Sequence, residues 1–223
     1  RFESRGLGDV YKRQALAACG RSVLLIDFDP QGNASTGLGI DDRAHNSYSL
    51  IAGGSGSDES IQKTQVPRLD IIQTVVDLSA AEVELSDMPD REFRLRGSIS
   101  RISASYDYII IDCPPSLGML TVNALAAATS VLVPLQCEFY ALEGLSQLMR
   151  TIDAVKAGLN GALSMQGIVL TMFDSRNKLS AMVANDVRDH FGELVYNTVV
   201  PRNVRVSEAV SYTHLTLPTR LMV

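Results

Sequence analysis

Short continuous runs of apolar residues recur along the chain, separated by segments in which apolar residues follow helical spacing. Runs of β-branched and aliphatic residues without alternation are typical of strands buried on both faces. Such runs predict strands at 22–27, 69–74, 108–112, 130–135, 167–171 and 197–200. Helical spacing predicts helices at 78–85, 92–105, 117–128, 141–159 and 178–191.

The order of these elements predicts an α/β fold. Strands that alternate with helices over short connections form right-handed βαβ units, which build a parallel sheet covered by helices on both faces. The Gly/Ser-rich stretch 52–60 is too short and too isolated to divide the chain, so we interpret it as a surface loop. No internal repeat is present. One α/β domain is therefore predicted.

Composition narrows the class of protein without naming a function. Hydrophobic residues make up 46% and charged residues 20% of the 223 residues, as in ordinary globular proteins. These values exclude a disordered chain, a collagen-like repeat and a coiled coil. The formal net charge of -5 shows no basic excess that would point to nucleic acid or an anionic membrane.

Cysteine usage and hydropathy favour a cytoplasmic protein. Cys19, Cys113 and Cys137 are odd in number and far apart, and they form no CxxC pair that would suggest zinc or a disulfide framework. All three lie in apolar runs, so we expect buried thiols. No apolar stretch reaches the length of about 18 residues that spans a bilayer, so no membrane partner is expected.

Two predicted strands end in an acid. Asp27 ends one apolar run before the loop Phe28–Asn33, and Asp112 ends another before a Pro-rich loop. Ligands bind at the carboxyl edge of open parallel sheets. An aspartate at that edge can bind Mg²⁺, usually through water, beside a phosphate. A carboxylate that merely caps the next turn is the alternative, but two such strands together favour a nucleotide site.

Four long segments carry a resemblance to a known family. They are VLLIDFDPQGNASTGLGI, YDYIIIDCPPSLGMLTVNAL, VPLQCEFYALEGLSQL and VVPRNVRVSEA. Through these segments the sequence resembles the ParA/Soj chromosome- and plasmid-partitioning ATPases, which belong to the deviant Walker A group of P-loop ATPases. The resemblance covers about residues 15 to 209. It implies the parallel α/β fold already inferred, shared with MinD and the nitrogenase iron protein, and it implies ATP and Mg²⁺.

The resemblance also implies roles for particular residues. Asp29, with Asp27 beside it, matches the catalytic aspartate that orients the attacking water, and Asp112 matches the acid at the Mg²⁺. The remaining nucleotide-binding candidates match the loop on the adenine and are Pro201, Asn203 and, more weakly, Asp174. Taken without the family, the turn at 201–203 is an ordinary loop.

Partners are implied by the resemblance alone. The family binds DNA non-specifically as an ATP-bound homodimer on the nucleoid, and it works with a ParB-type partner. Arg176 and Arg205 match its DNA-binding arginines. Composition gives no support for a DNA surface, because the segment 171–210 holds five basic and five acidic residues. From composition, these arginines are solvated surface charges.

The phosphate-binding loop of the family has no counterpart in these 223 residues. A fit of G-x-x-x-x-G-K-[ST] from Gly6 fails because Tyr11 replaces the second glycine and Arg13 the hydroxyl residue. Without that loop and its strand, we expect the sheet to lack a central element and to be incomplete at its N-terminal side. We also expect little nucleotide binding, and dimerisation is doubtful. We expect residues 1–14 and 210–223 to be non-native tails around a truncated domain at 15–209.

Two other functions compete with the partitioning ATPase. A MinD-like membrane-cycling ATPase would need a C-terminal amphipathic helix, and the final nine residues, LTLPTRLMV, contain a proline and a single arginine. A non-catalytic binding module, folded but unable to hold ATP, fits the missing loop.

Overall fold

Every strand predicted from the apolar runs forms, although the strands divide between two sheets. The computed structural model describes residues 16–17, 19–40, 46–52 and 58–202. The strands in these ranges are β1 (Val23–Asp27), β2 (Gln62–Lys63), β3 (Leu69–Ile72), β4 (Tyr108–Asp112), β5 (Ser130–Gln136), β6 (Ser164–Phe173) and β7 (Val195–Pro201). The helices are α1 (Asn33–Gly37), α2 (Ser47–Ala52), α3 (Leu78–Leu85), α4 (Arg94–Ile102), α5 (Met119–Ala127), α6 (Ala141–Gly158) and α7 (Lys178–Phe191).

The first sheet is built around β1. Its strand order is β2-β3-β1-β4, and β1 runs parallel to both β3 and β4. All five residues of β1 are buried, as expected for a central strand covered on both faces. The short β2 pairs antiparallel with β3 at the edge, and the apolar pattern did not predict it because two residues carry no periodicity.

The second sheet contains the three strands of the C-terminal half. Its order is β5-β6-β7, and all of its pairs are parallel. Helices α6 and α7 pack on it through a core to which Leu145, Val183 and Val187 contribute. The amphipathic spacing predicted both helices well, because a helix that covers a sheet must keep one apolar face.

No backbone ladder joins the two sheets within the described ranges, since β4 pairs there with β1 and β5 with β6. Helices α5 and α6 connect them through the apolar residues Leu125, Ile152, Val155 and Leu163. The amide of Asn160 donates to the carbonyls of Leu125 (3.0 Å) and Ala128 (2.7 Å). The predicted parallel α/β architecture is confirmed, but the single expected sheet is interrupted between β4 and β5. No described helix is both long and apolar enough to span a membrane.

The cysteines differ in exposure, which corrects the expectation that all three are buried. Cys137 is buried and Cys113 half-buried, whereas Cys19 is exposed, and all three are free thiols. Cys19 lies in the turn before β1, so its apolar neighbours in the sequence do not enclose it. Burial raises the pKa of the Cys137 thiol, and the charge of Arg188 opposes that rise.

This difference predicts the order of alkylation. Because the thiolate is the reactive form, a raised pKa and burial both slow the reaction of Cys137 at a given pH. At pH 8 we expect iodoacetamide to modify Cys19 of the folded chain well before Cys137, as followed by peptide mass spectrometry. In urea the two rates should converge, and equal rates in the folded chain would contradict the assignment.

Candidate functional site

Two buried carboxylates lie side by side at the carboxyl edge of the first sheet. The parallel register of β1 and β4 pairs Asp27 with Asp112. Asp27 is fully buried and Asp112 is 5% exposed. The Phe28 N–H donates to the Asp112 carbonyl at 2.8 Å, so the two strands stay paired to their last residue. The sheet itself therefore fixes the separation of these two acids.

Hydrogen bonds from one serine hold the Asp27 carboxylate. Ser35 donates to Asp27 Oδ2 through its backbone N–H (2.7 Å) and through its hydroxyl (2.6 Å). The Asp29 N–H lies 3.4 Å from Asp27 Oδ1 and completes the set. Burial raises the pKa of Asp27, while the hydrogen bonds from Ser35 oppose that rise. The local sequence thus keeps an acid in an environment that disfavours its charge.

Asp29 is carried by a tight turn after β1. Its Oδ1 accepts from the Gln31 N–H at 3.0 Å, and its carbonyl accepts from the Gly32 N–H at 2.9 Å. Gly32 has φ +65°, and a Cβ there would lie 3.0 Å from Thr74 Cγ2 on the chain after β3. A glycine is therefore required for two reasons, the left-handed backbone and the close approach of Thr74.

A second group of candidates lies at the carboxyl ends of β6 and β7. Phe173 pairs with Pro201, and the Arg202 N–H donates to the Phe173 carbonyl at 2.9 Å. Asp174 follows β6 directly, so it lies at the same sheet edge as Pro201. Asn203 and Arg205 lie outside the described residues.

Asp174 and Arg176, predicted for different ligands, bind each other. Arg176 donates through Nε to Asp174 Oδ1 and through Nη2 to Oδ2, both at 3.0 Å. Arg176 lowers the pKa of Asp174 chiefly through these hydrogen bonds. The Arg176 side chain is 88% exposed, so the pair is a surface ion pair of small stability value. The pair leaves hydrogen-bonding capacity for a ligand, since a carboxylate has about four acceptor sites and a guanidinium has five N–H donors.

The two acids at the first sheet supply carboxylate oxygens of the kind that Mg²⁺ binds. Within the described ranges, no three His, Cys, Asp or Glu side chains are grouped closely enough to hold a metal ion. Mg²⁺ in nucleotide sites is commonly held by one or two carboxylates together with phosphate oxygens and water. The hard oxygens of Asp27 and Asp112 fit that arrangement.

Ser35 and Thr74 are the residues of this region that the sequence did not reveal. The Thr74 N–H donates to Ser35 Oγ at 3.2 Å, so the chain after β3 is tied to the chain after β1. The Thr74 hydroxyl is buried and lacks a hydrogen-bond partner among the described residues. Ser35 lies in the short helix α1 and Thr74 just after β3, and neither residue carries a signal in the sequence. Only their hydrogen bonds, from Thr74 to Ser35 and from Ser35 to Asp27, distinguish them.

The fold and the site together define a class. A helix-flanked parallel sheet with acids at the ends of two neighbouring strands, followed by a fixed Gly-containing turn, is the arrangement of nucleoside triphosphatases with a P-loop-like fold.

Comparison with known proteins narrows that class. The family described as "AAA domain" matches residues 12–165. The chromosome partitioning protein ParA of Caulobacter vibrioides is 56% identical over 202 residues, which cover 89% of this chain and 76% of that protein. The sporulation initiation inhibitor protein Soj of Bacillus subtilis is 46% identical over 213 residues, covering 93% of this chain and 84% of that protein. The chain belongs to the ParA/Soj family of partitioning ATPases.

Solved structures show the same fold. Cobyrinic acid a,c-diamide synthase from Mycobacterium smegmatis with bound ADP and magnesium is 34% identical, with a TM-score of 0.82 over 94% of this chain and 88% of that one. Apo McdA from Cyanothece has a TM-score of 0.84 at 20% identity, over 94% of this chain and 85% of its own, and supports the fold alone.

The turn that carries Asp29 yields a stability prediction. Gly32→Ala should destabilise the chain through both the left-handed φ and the close approach of Thr74. Gly39→Ala is the matched control, because Gly39 has φ +66° and nothing within 4 Å of the added Cβ. We expect Gly39→Ala to cost about 1–2 kcal/mol and Gly32→Ala clearly more, as measured by urea unfolding. Equal losses of stability would contradict the close approach.

Proposed function

We propose that this chain is the ATP-hydrolysing domain of a chromosome- or plasmid-partitioning system. The observation that carries the proposal is the in-register pair of Asp27 and Asp112, buried at the ends of adjacent parallel strands, in a chain 46–56% identical to ParA and Soj proteins. Phosphoryl transfer to water needs positioning and charge neutralisation more than covalent chemistry, and fixed carboxylates supply positioning.

Each acid has a separate role in this proposal. Asp29, which is only partly buried in its turn, accepts a hydrogen bond from the attacking water and orients it. Asp112, at the end of β4, would hold Mg²⁺ through water, and Asp27 fixes the start of the loop. Mg²⁺, when bound with ATP, neutralises charge on the phosphates. The strand register keeps Asp27 and Asp112 at the same edge throughout.

Adenine would bind at the second sheet in this proposal. Pro201 is exposed at the end of β7 and offers an apolar surface for a base, and Asp174 and Asn203 are the polar candidates beside it. The Asp174 carboxylate is bound to Arg176 in the structure, so a base would either share the carboxylate with Arg176 or displace it.

DNA and protein partners belong to the same proposal. We infer a cytoplasmic, nucleoid-associated ATPase that binds DNA non-specifically as an ATP-dependent homodimer and responds to a ParB-type partner. Its support is the membership in the family and the exposed guanidinium of Arg176. Net charge gives no independent support, since it is -5 for the whole chain.

The absence of a phosphate-binding loop from these 223 residues limits the nucleotide binding that they can achieve by themselves. They contain no sequence of the form K-G-G-x-G-K-[ST], whose backbone N–H groups and lysine hold the phosphates of ATP in P-loop proteins. We propose that the 223-residue chain binds ATP poorly, because its carboxylates alone cannot retain the phosphates.

This proposal predicts a specific pattern of ATPase activity. The 223-residue chain should show no turnover above background. An extended form, in which a strand, a loop of the form K-G-G-x-G-K-T and a helix precede residue 16, should hydrolyse ATP with Mg²⁺. In the extended form, Asp29→Ala should lower kcat by about 100-fold or more, because the carboxylate that orients the attacking water is removed.

Asp153→Ala in the extended form is the control for removal of an acid. Asp153 is exposed on α6, and its removal should leave kcat unchanged. Turnover by the 223-residue chain that Asp29→Ala abolishes would contradict the proposed deficiency. Undiminished turnover in the extended Asp29→Ala variant would contradict the role of Asp29.

DNA binding should depend on Arg176 and on salt. In the ATP-bound extended form, the affinity for random-sequence duplex should fall linearly with salt on a double-logarithmic plot. Arg176→Ala should make that slope less negative by about 0.9 for each phosphate that Arg176 neutralises. Arg96→Ala, which removes an exposed arginine on α4, is the control and should leave the slope unchanged. Fluorescence anisotropy at several salt concentrations gives the slope for each variant. Identical slopes for wild type and Arg176→Ala would exclude a role of Arg176 in binding DNA.

A further inference from the structure

We propose that Ser35 is a positioning residue for ATP hydrolysis, which holds the Asp27 carboxylate and through it the loop that carries Asp29. The proposal rests on the ATPase function proposed above. Ser35 itself is 6% exposed, and it acts through Asp27 rather than by touching substrate.

Ser35 donates two hydrogen bonds to the Asp27 carboxylate. Both the N–H and the hydroxyl of Ser35 reach the same oxygen, Asp27 Oδ2, at 2.7 and 2.6 Å. Two donors on one oxygen fix the plane of the carboxylate, and they leave Oδ1 on the side of the Asp29 N–H, 3.4 Å away. Ser35 therefore sets the orientation of the Asp27 carboxylate, whose other oxygen faces the catalytic loop.

The neighbours of the Ser35 hydroxyl determine where its proton points. A backbone N–H can only donate, so Thr74 N–H must use a lone pair of Ser35 Oγ, at 3.2 Å. The Ser35 hydroxyl donates to Asp27 Oδ2, so its single proton points to Asp27. The result is a directed chain from Thr74 through Ser35 to Asp27, which ties the ends of β3 and β1 together.

A second buried serine, Ser98, allows the positioning role of Ser35 to be distinguished from ordinary packing. Ser98 is also buried, and its hydroxyl donates to the Leu50 carbonyl at 2.6 Å. That hydrogen bond ties α4 to α2 and involves no residue of the site. Ser98→Ala is therefore matched to Ser35→Ala in chemistry and burial, and it differs in what the hydroxyl holds.

The experiment compares Ser35→Ala, Ser35→Thr and Ser98→Ala with the wild type. In the extended form, Ser35→Ala should lower kcat by about 10- to 100-fold, the usual effect of removing an outer hydrogen-bond partner of a catalytic group, with little change in KM for ATP. Ser35→Thr keeps the hydroxyl and should restore most of kcat. Ser98→Ala should lower the stability and leave kcat unchanged.

A second measurement on the 223-residue chain does not depend on activity. In Ser35→Ala the Thr74 N–H no longer has its acceptor, so its hydrogen exchange should accelerate relative to the Ile72 N–H in β3. In Ser35→Thr and Ser98→Ala, the ratio of these two exchange rates should stay at the wild-type value. Nuclear magnetic resonance resolves both amides.

The two measurements separate the possible failures. Unchanged kcat in Ser35→Ala, or an equal reduction in Ser35→Ala and Ser98→Ala, would overturn the positioning role. An unchanged exchange ratio in Ser35→Ala would overturn the hydrogen bond on which that role depends. If the extended wild type hydrolyses no ATP, the proposed function fails, and with it the catalytic role of Ser35, while the exchange ratio still decides whether Ser35 holds Thr74.

Discussion

The parallel register between β1 and β4 is the constraint on which the site depends. It brings Asp27 opposite Asp112 at one edge of the sheet, and both strands stay paired to their last residue. A shift of one residue would turn alternate side chains to the opposite face, and the two carboxylates would no longer lie together. The hydrogen bond from the Phe28 N–H to the Asp112 carbonyl, at 2.8 Å, holds this register where the two strands end.

Burial of the Asp27 carboxylate is unfavourable, and hydrogen bonds from residues that follow β1 offset this penalty. An isolated buried charge would be strongly disfavoured, so Asp27 accepts two hydrogen bonds from Ser35. The loop can return to Asp27 within eight residues because Gly32 adopts a left-handed conformation beside Thr74. One small residue thus serves both the turn and the support of the acid.

Sequence patterns predicted the regular elements where a long apolar periodicity exists. The bounds of α3 and α7 were predicted to the residue, and those of β4 likewise. The short α1 and α2 and the edge strand β2 were missed, because five, six or two residues cannot display a period. The expectation for Cys19 was wrong, since apolar neighbours along the chain do not ensure enclosure in space.

By itself, the sequence determined the α/β class and placed Asp27 and Asp112 at strand ends, because strand burial and the acid that follows are local features. Only the tertiary structure decided that Ser35 holds Asp27 and that Thr74, 39 residues further on, holds Ser35. It also decided that the sheet divides between β4 and β5. These features depend on strand order and on how loops meet at the sheet edge, and residues distant in sequence carry no local signal of such pairing.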